Sequence, residues 1–391
     1  MTDSIVTKNP DLEIADLFVR FGDEFLKKYP QPSEHHSHIN LIKSCRTQAL
    51  GGHIQKCGSC DYSKPMYNSC QCRMCPKCQS LKRERWVEAR KQDLLPCKYF
   101  HGVFTLPHKL NPISLWNKKH IYAALFDAVT DTLQTFAKQE LNGKLGIITV
   151  LHTWNQQLLD HIHLHCLIPA GALDLKTKKW NPCKSDDFLF PVLAVSKMFR
   201  SKFIELLRSL HRELKLPESL GYLRDSCSFQ DFLDDLFNEN FVVYTKQPFS
   251  GPEQVIEYLG RYVHRVAISN RRIEKVEADN VFFHYRDRKD GNKEKTAVLP
   301  ATEFLRRFML HSVPKGFQRI RHHGILANRA KKQNVDRIYL ALAITRITQL
   351  LGPLSARDFI LKKFGVDITQ CPHCKKGQLL HGKPIPKARS P

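Results

Sequence analysis

Apolar residues recur at helical spacing through residues 11–29, where Leu12, Ala15, Leu17, Phe18, Phe21 and Phe25 make one stripe and Pro30-Gln31-Pro32-Ser33 stops the helix. A second helix is predicted over about 35–49 and a third, strongly basic, over 80–95. The period then changes. Residues 99–106 read as a strand ended by Pro107, 114–139 as a long helix, and 145–154 as a second strand. After a short turn comes Asp160-His161-Ile162-His163-Leu164-His165-Cys166-Leu167-Ile168-Pro169. Its strict alternation predicts a strand with imidazoles on one face and apolar side chains on the other, in a hairpin with its predecessor. Further on, the pattern predicts a helix over 195–214, a strand over 241–245 and a helix starting near Pro252. A hairpin is predicted from 281–287 and 294–299 around Asp290-Gly291-Asn292. The remainder reads as mainly helical and basic, with a flexible Pro/Lys-rich tail.

Composition narrows the class. Hydrophobic residues at 42% and charged residues at 25% are ordinary for a folded soluble chain, which excludes bulk disorder. Lys and Arg number 61 against 38 Asp and Glu, a net +23, and such an excess points to a nucleic-acid partner. No apolar run approaches the roughly 18 residues of a membrane span, and the N-terminus lacks the apolar core of a signal peptide. The chain is therefore expected in the cytoplasm, with no membrane partner. In that reducing setting its thirteen cysteines are expected to be metal ligands rather than disulfides.

Cys57-Gly58-Ser59-Cys60 and Cys75-Pro76-Lys77-Cys78 have the paired spacing of a four-cysteine structural Zn²⁺ site. Cys70, Cys72 or His53 can replace a ligand, and Cys45 supplies enough thiols for a second ion. Cys371 and Cys374 form half of a further site, completed by His373, His381 or cysteines elsewhere in space. Lys82, Arg83 and Arg85 follow the cluster and suit phosphate contacts. On the histidine strand, His163 and His165 can converge on a divalent cation, with Gln156, His152 or His161 as third ligand. Open positions on such an ion accept phosphate oxygens, and Mg²⁺ or Mn²⁺ fits that use. Tyr258 and Tyr262, four apart in a helical stretch, lie on one helix face. Arg261, His264 and Arg265 beside them favour phenolate, the form in which tyrosine attacks phosphorus.

These residues carry a resemblance. His163-Leu164-His165 between apolar neighbours resembles the HUH motif, and Tyr258 and Tyr262 resemble the nucleophile pair of two-tyrosine transposases of rolling-circle insertion sequences (insertion sequence 91 type). The likeness spans about residues 40–375. It includes Tyr67-Asn68-Ser69-Cys70, Phe104-Thr105-Leu106-Pro107, His152-Thr153-Trp154, the stretch from Tyr258 to Asn270, and Gly324 to Arg329. The chain departs from the family at Cys72 and Met74, where Asn and His are usual, and at Ile162, where Pro is frequent. The resemblance implies an α+β fold whose central HUH nuclease domain is an antiparallel sheet flanked by helices. It implies cleavage and rejoining of single-stranded DNA at transposon-end hairpins or duplex through 5′-phosphotyrosine links, with Gln156 where such folds can place the third ligand.

The expected organisation is an N-terminal helical segment (1–50), a zinc-binding module with its basic helix (51–95), the nuclease domain carrying the tyrosines (96–300), and a helical basic C-terminal region (301–391). Two other functions use the same residues differently. A plasmid or phage replication initiator or relaxase shares the chemistry, whereas a zinc-dependent DNA-binding regulator does none. No G-x-x-x-x-G-K-[ST] phosphate loop appears, so unwinding is left to other factors.

Overall fold

The structure is a computed structural model that describes residues 12–91, 93–185, 189–246, 254, 256, 257, 260, 266–287, 290–346 and 354–388. The fold is α+β, built on antiparallel sheets. Helices α1 (Ile14–Lys28) and α2 (Ser33–Ser44) precede the hairpin β1 (Gly52–Cys57)–β2 (Ser63–Tyr67) and the basic helix α3 (Gln79–Lys91). Strand β3 (Tyr99–Thr105) leads through α4 (Asn111–Trp116) and α5 (Lys118–Leu141) to the long hairpin of β4 (Gly146–Trp154) and β5 (Asp160–Pro169). A small ribbon, β6 (Gly171–Leu173) with β7 (Trp180–Pro182), and helices α6 (Val192–Ser209) and α7 (Ser226–Phe237) follow. Next come β8 (Val243–Lys246), the meander β9 (Ile273–Glu277), β10 (Asn280–Asp287), β11 (Lys293–Pro300), and helix Ala301–Leu310. Strand β12 (Ile320–Gly324), helices Lys331–Ala341 and Ala356–Phe364, and β13 (Leu379–Ile385) complete the described elements.

The central sheet has five antiparallel strands in the order β12-β4-β5-β3-β8, which places the histidine strand in the middle. Alternation along β5 assigns its two faces. Ile162, Leu164, Cys166 and Ile168 point to one side and join the largest apolar core with α5 and α6. Leu167 points to the other and packs with Ile148, Tyr99, Val87 of α3, Ile256 and Ile325. The imidazoles share this second face. A one-residue slip of β5 would put them into the apolar core, so burial of the opposite face fixes the register.

A second core joins distant parts of the chain. The stripe of α1 packs on helix Ala301–Leu310 and on the β9–β11 sheet, with Phe18 edge-on to Phe308 at 6.0 Å and Phe283 edge-on to Phe304 at 5.5 Å. The predicted hairpin around Gly291 forms, as β10 and β11 in unbroken register from Asn280↔Pro300 to Asp287↔Lys293.

Two stretches differ from the sequence reading. The tail read as flexible contains β13, which pairs antiparallel with β1 and completes a three-stranded sheet, β13-β1-β2. Most of its side chains are exposed, so backbone pairing holds it where no alternation of side chains announces it; Pro384 is tolerated on this edge strand. Strand β12, Ile-Arg-His-His-Gly, lies in a stretch read as helical; it is polar because it forms the edge of the central sheet. Among the described residues, no helix is long and apolar enough to cross a membrane.

Candidate functional site

The register of the central sheet assembles three histidines. His163 faces His152 on β4 and Thr105 on β3, and His165, two residues on, faces Val150 and Val103. Residues His152, His163 and His165 are all more than nine-tenths buried, and one ring nitrogen from each lies within 4.8 Å of the others. The His163 and His165 Nε2 atoms are 3.1 Å apart. Two nitrogens bound to one cation at about 2.1 Å and at a right angle would stand about 3.0 Å apart.

The hydrogen bonds also set the protonation. His163 Nδ1 is 2.7 Å from the His161 carbonyl, which can only accept, so Nδ1 carries a proton and a cation would be met by Nε2. His165 Nδ1 lies 3.0 Å from Nε2 of His101, a buried residue of β3 whose ring stacks on His165. To present its own Nε2 lone pair to a cation, His165 must hold its proton on Nδ1 and donate it to His101. The sequence reading missed this fourth histidine. Its signal was present, because Tyr99, His101, Val103 and Thr105 alternate on the histidine face.

His161 stands at the start of β5, with its ring between those of His163 and His108, outside the three-way cluster. Gln156 lies in the β4–β5 turn, where its carbonyl accepts a bond from Arg272. Of the two histidine candidates for third ligand, His152 is the one placed with His163 and His165. At the mouth of the strand, burial raises the Asp160 carboxyl and lowers buried Lys118 to about 8, each opposed by the other's charge. Burial holds His311 near 3, so it is neutral, bonded to the Leu158 carbonyl and the Thr153 hydroxyl.

Tyr258, Tyr262, Arg261, His264 and Arg265 lie outside the described residues. Described residues lie close to them in sequence. Ile256 is fully buried on the histidine face, with Leu167, Ile148 and Val87. Glu257 pairs with Lys91 of α3 at 3.0 Å. Gly260 approaches α3 so closely that a Cβ there would stand 2.4 Å from Val87 Cγ2.

The cysteines are grouped differently from the expectation. The two knuckles, Cys57/Cys60 and Cys75/Cys78, do not meet. Cys75 and Cys78 cluster with Cys45 and Cys70, whereas Cys57 and Cys60 cluster with Cys371 and Cys374. The physical reason is topological: the turn after β2 returns the chain to the end of α2, while β13 delivers the C-terminal knuckle to the end of β1. In the first quartet Cys78 Sγ is 3.3 Å from Cys45 and 3.6 Å from Cys70. Cys72 and Met74 turn into the α1 core, and the His53 ring lies tilted against that of His381, with centroids 4.2 Å apart.

The basic helix is partly consumed by internal contacts. Arg83 pairs with Glu84, and Arg85 bonds the Leu354 carbonyl and lies over Phe359. Lys82 instead lines a cleft of about 340 Å³ with Arg73, Arg319, Phe317, Ile320 and Val150. Val150 is the cross-strand partner of His165, so this cationic cleft adjoins the histidine cluster.

A family profile described as "Putative transposase" matches residues 146–334, and one described as "Transposase zinc-binding domain" matches residues 17–106. The chain is 40% identical over 375 residues to "Putative transposase y4qJ" of Sinorhizobium fredii, covering 94% of each protein. It is 29% identical over 307 residues to the "Transposase for insertion sequence element IS801" of Pseudomonas savastanoi pv. phaseolicola, covering 78% of this chain and 73% of that one. No solved structure matches. The chain belongs to the insertion-sequence-91 type of transposases, with an N-terminal zinc-binding domain.

Proposed function

We propose that this transposase is an HUH endonuclease and strand transferase that moves DNA by the rolling-circle route. It cuts single-stranded DNA at transposon ends, hairpin or duplex-flanked, and rejoins it through 5′-phosphotyrosine links, within the bacterial cytoplasm at the nucleoid. The observation that carries this reading is the His152/His163/His165 cluster on the sheet face that also receives Ile256, two residues before Tyr258. Three buried imidazoles whose ring nitrogens converge suit a divalent cation. His152, His163 and His165 would hold Mg²⁺ or Mn²⁺, which when bound would polarise the scissile phosphate as a Lewis acid.

The residues of the chain do the rest. The Tyr258 or Tyr262 phenol loses its proton and its oxygen attacks phosphorus; the bond to the 3′-oxygen breaks, and that oxygen takes up a proton. Rejoining is the reverse, with a 3′-hydroxyl attacking and phenolate leaving, so bond energy is conserved without ATP. Two tyrosines allow two strand ends to be held in turn. Arg261 and Arg265 favour phenolate, and the Arg73/Lys82/Arg319 cleft guides the DNA backbone toward the histidines.

Denaturing electrophoresis with single-stranded end DNA and Mg²⁺ or Mn²⁺ is the test. A covalent adduct mapping to Tyr258 or Tyr262 is expected, and none with both changed to Phe. An adduct on any other residue, or DNA binding with no cleavage at any end sequence, would overturn the reading and favour a non-catalytic regulator.

A further inference from the structure

We propose that Cys57, Cys60, Cys371 and Cys374 hold a zinc ion of their own, separate from the one at Cys45, Cys70, Cys75 and Cys78, and that this second ion clamps the C-terminal strand to the N-terminal hairpin. The zinc-binding profile of the family ends at residue 106, so two of these four thiols lie far outside it. The inference is independent of the nuclease chemistry.

Four observations converge. The four Sγ atoms lie within 4.8 Å of one another, with Cys57–Cys374 at 3.7 Å and Cys60–Cys371 at 3.8 Å. Thiolates bound tetrahedrally to zinc at about 2.3 Å stand about 3.8 Å apart, so these two edges already have the length of a zinc tetrahedron's. The knuckles carry N–H···S bonds, from Ser59 to Cys57 and from Gly377 to Cys374, both 3.3 Å, which satisfy thiolate charge.

The sheet delivers the two halves in register. Cys57 is the cross-strand partner of Leu379, Gly58 N–H donates to the Gln378 carbonyl at 3.0 Å, and Cys371 N–H donates to the Gly377 carbonyl at 2.8 Å. Finally, Gly377 lies where a Cβ would meet Cys57 Sγ at 2.5 Å and Ser59 Cβ at 2.8 Å. Only glycine lets the C-terminal knuckle close on the N-terminal one. The quartets share no residue, and four thiolates fill each tetrahedron, so both sites are structural. His373 Nδ1, 4.0 Å from Cys60 Sγ, lies at the margin of the second site.

The test uses the full chain and zinc itself. Elemental analysis should give two zinc ions per chain, falling to one in Cys371→Ser/Cys374→Ser and to one in Cys70→Ser/Cys78→Ser. Hydrogen exchange should separate the two: amides of 52–57 and 379–385 lose protection in the first variant and keep it in the second. A measurement on the wild type covers the case in which a variant fails to fold. During stepwise chelation, alkylation mapping should label Cys57, Cys60, Cys371 and Cys374 as one group. Labelling of Cys57 and Cys60 in step with Cys75 and Cys78, one zinc per wild-type chain, or disulfide-linked peptides from 57–60 and 371–374 would each overturn the proposal.

Discussion

Gly260 stands between Tyr258 and Tyr262 in the sequence, and its replacement by alanine tests whether its close packing on α3 governs catalysis. The added methyl would lie 2.4 Å from Val87 Cγ2. Ordinary carbon–carbon contact is about 3.5–4.0 Å, so the two backbones must separate by about 1.1–1.6 Å, or Val87 must turn. Turning is resisted, because Val87 is β-branched in a helix and only 4% exposed among Tyr99, Ile148 and Ile256. Overpacking of this kind costs about 1–3 kcal/mol, offset by about 1 kcal/mol from alanine's better helix propensity. The fold should therefore survive with a small loss of stability. A displacement of about 1 Å at a reacting group can cost on the order of 100-fold in rate, and that is the loss expected in covalent adduct formation. Adding Val87→Ala removes the obstructing carbon and should restore most of the rate, while Val87→Ala alone should cleave well. Single-turnover adduct formation on denaturing gels, with melting temperatures in parallel, completes the double-mutant cycle. A fully active Gly260→Ala protein, or no recovery in the double variant, would refute the steric argument.

Three other outcomes are expected. His152→Ala should lose metal-supported cleavage as completely as His163→Ala or His165→Ala, Gln156→Ala should lose less, and all should keep DNA binding; a greater loss in Gln156→Ala than in His152→Ala would hand the third ligand position back to Gln156. With a net charge of +23, affinity for single-stranded DNA should fall with log K linear in log salt, and a flat response in a filter or fluorescence titration would show that the cationic cleft does not carry the DNA. Burial holds His35, His322 and His323 near 4 and His311 near 3, whereas unfolded histidine titrates near its ordinary value of about 6.5. Between those values the unfolded chain binds more protons than the folded one at these four groups, so melting temperature should fall steadily as pH drops from about 6.5 to 4. His322→Gln with His323→Gln should shallow that slope, which zinc release alone would not; an unchanged slope would count against these two groups.

The periodic parts of the chain were legible in the sequence because side-chain burial wrote them there. The β4–β5 hairpin buries every residue of β4 and all of β5 from Ile162 on, with histidine and apolar residues alternating in sequence between the two faces of β5, and the α1 stripe names the residues that meet helix Ala301–Leu310. The elements that were not legible are those held by backbone pairing at an edge. β12 and β13 present polar or proline-bearing sequences, and nothing in their alternation marks a strand. Zinc spacing behaved the same way: each C-x-x-C identified a half-site, but which halves meet is a property of sheet topology. Pairing the knuckles nearest in sequence, Cys57/Cys60 with Cys75/Cys78, followed chain distance where the fold follows β13. His101 escaped for another reason. One histidine in an apolar strand is ordinary until the register beside β5 brings it against His165.

The pairing of β13 with β1 bears on how the molecule is made. Cys57 and Cys374 are separated by 317 residues. At about 5–20 residues per second, a ribosome that has finished β1 needs roughly 16–60 s to reach the strand that covers it. Throughout that interval the β1–β2 hairpin has an uncovered edge, with two reduced thiols at its end. Such an edge is a template for pairing with another chain, and early thiols are targets for oxidation or for a stray metal. Slower elongation or crowding of nascent chains should therefore injure this module first, whereas the β4–β5 hairpin, whose own two strands lie close in sequence and whose β5 edge is met by the earlier β3, forms early.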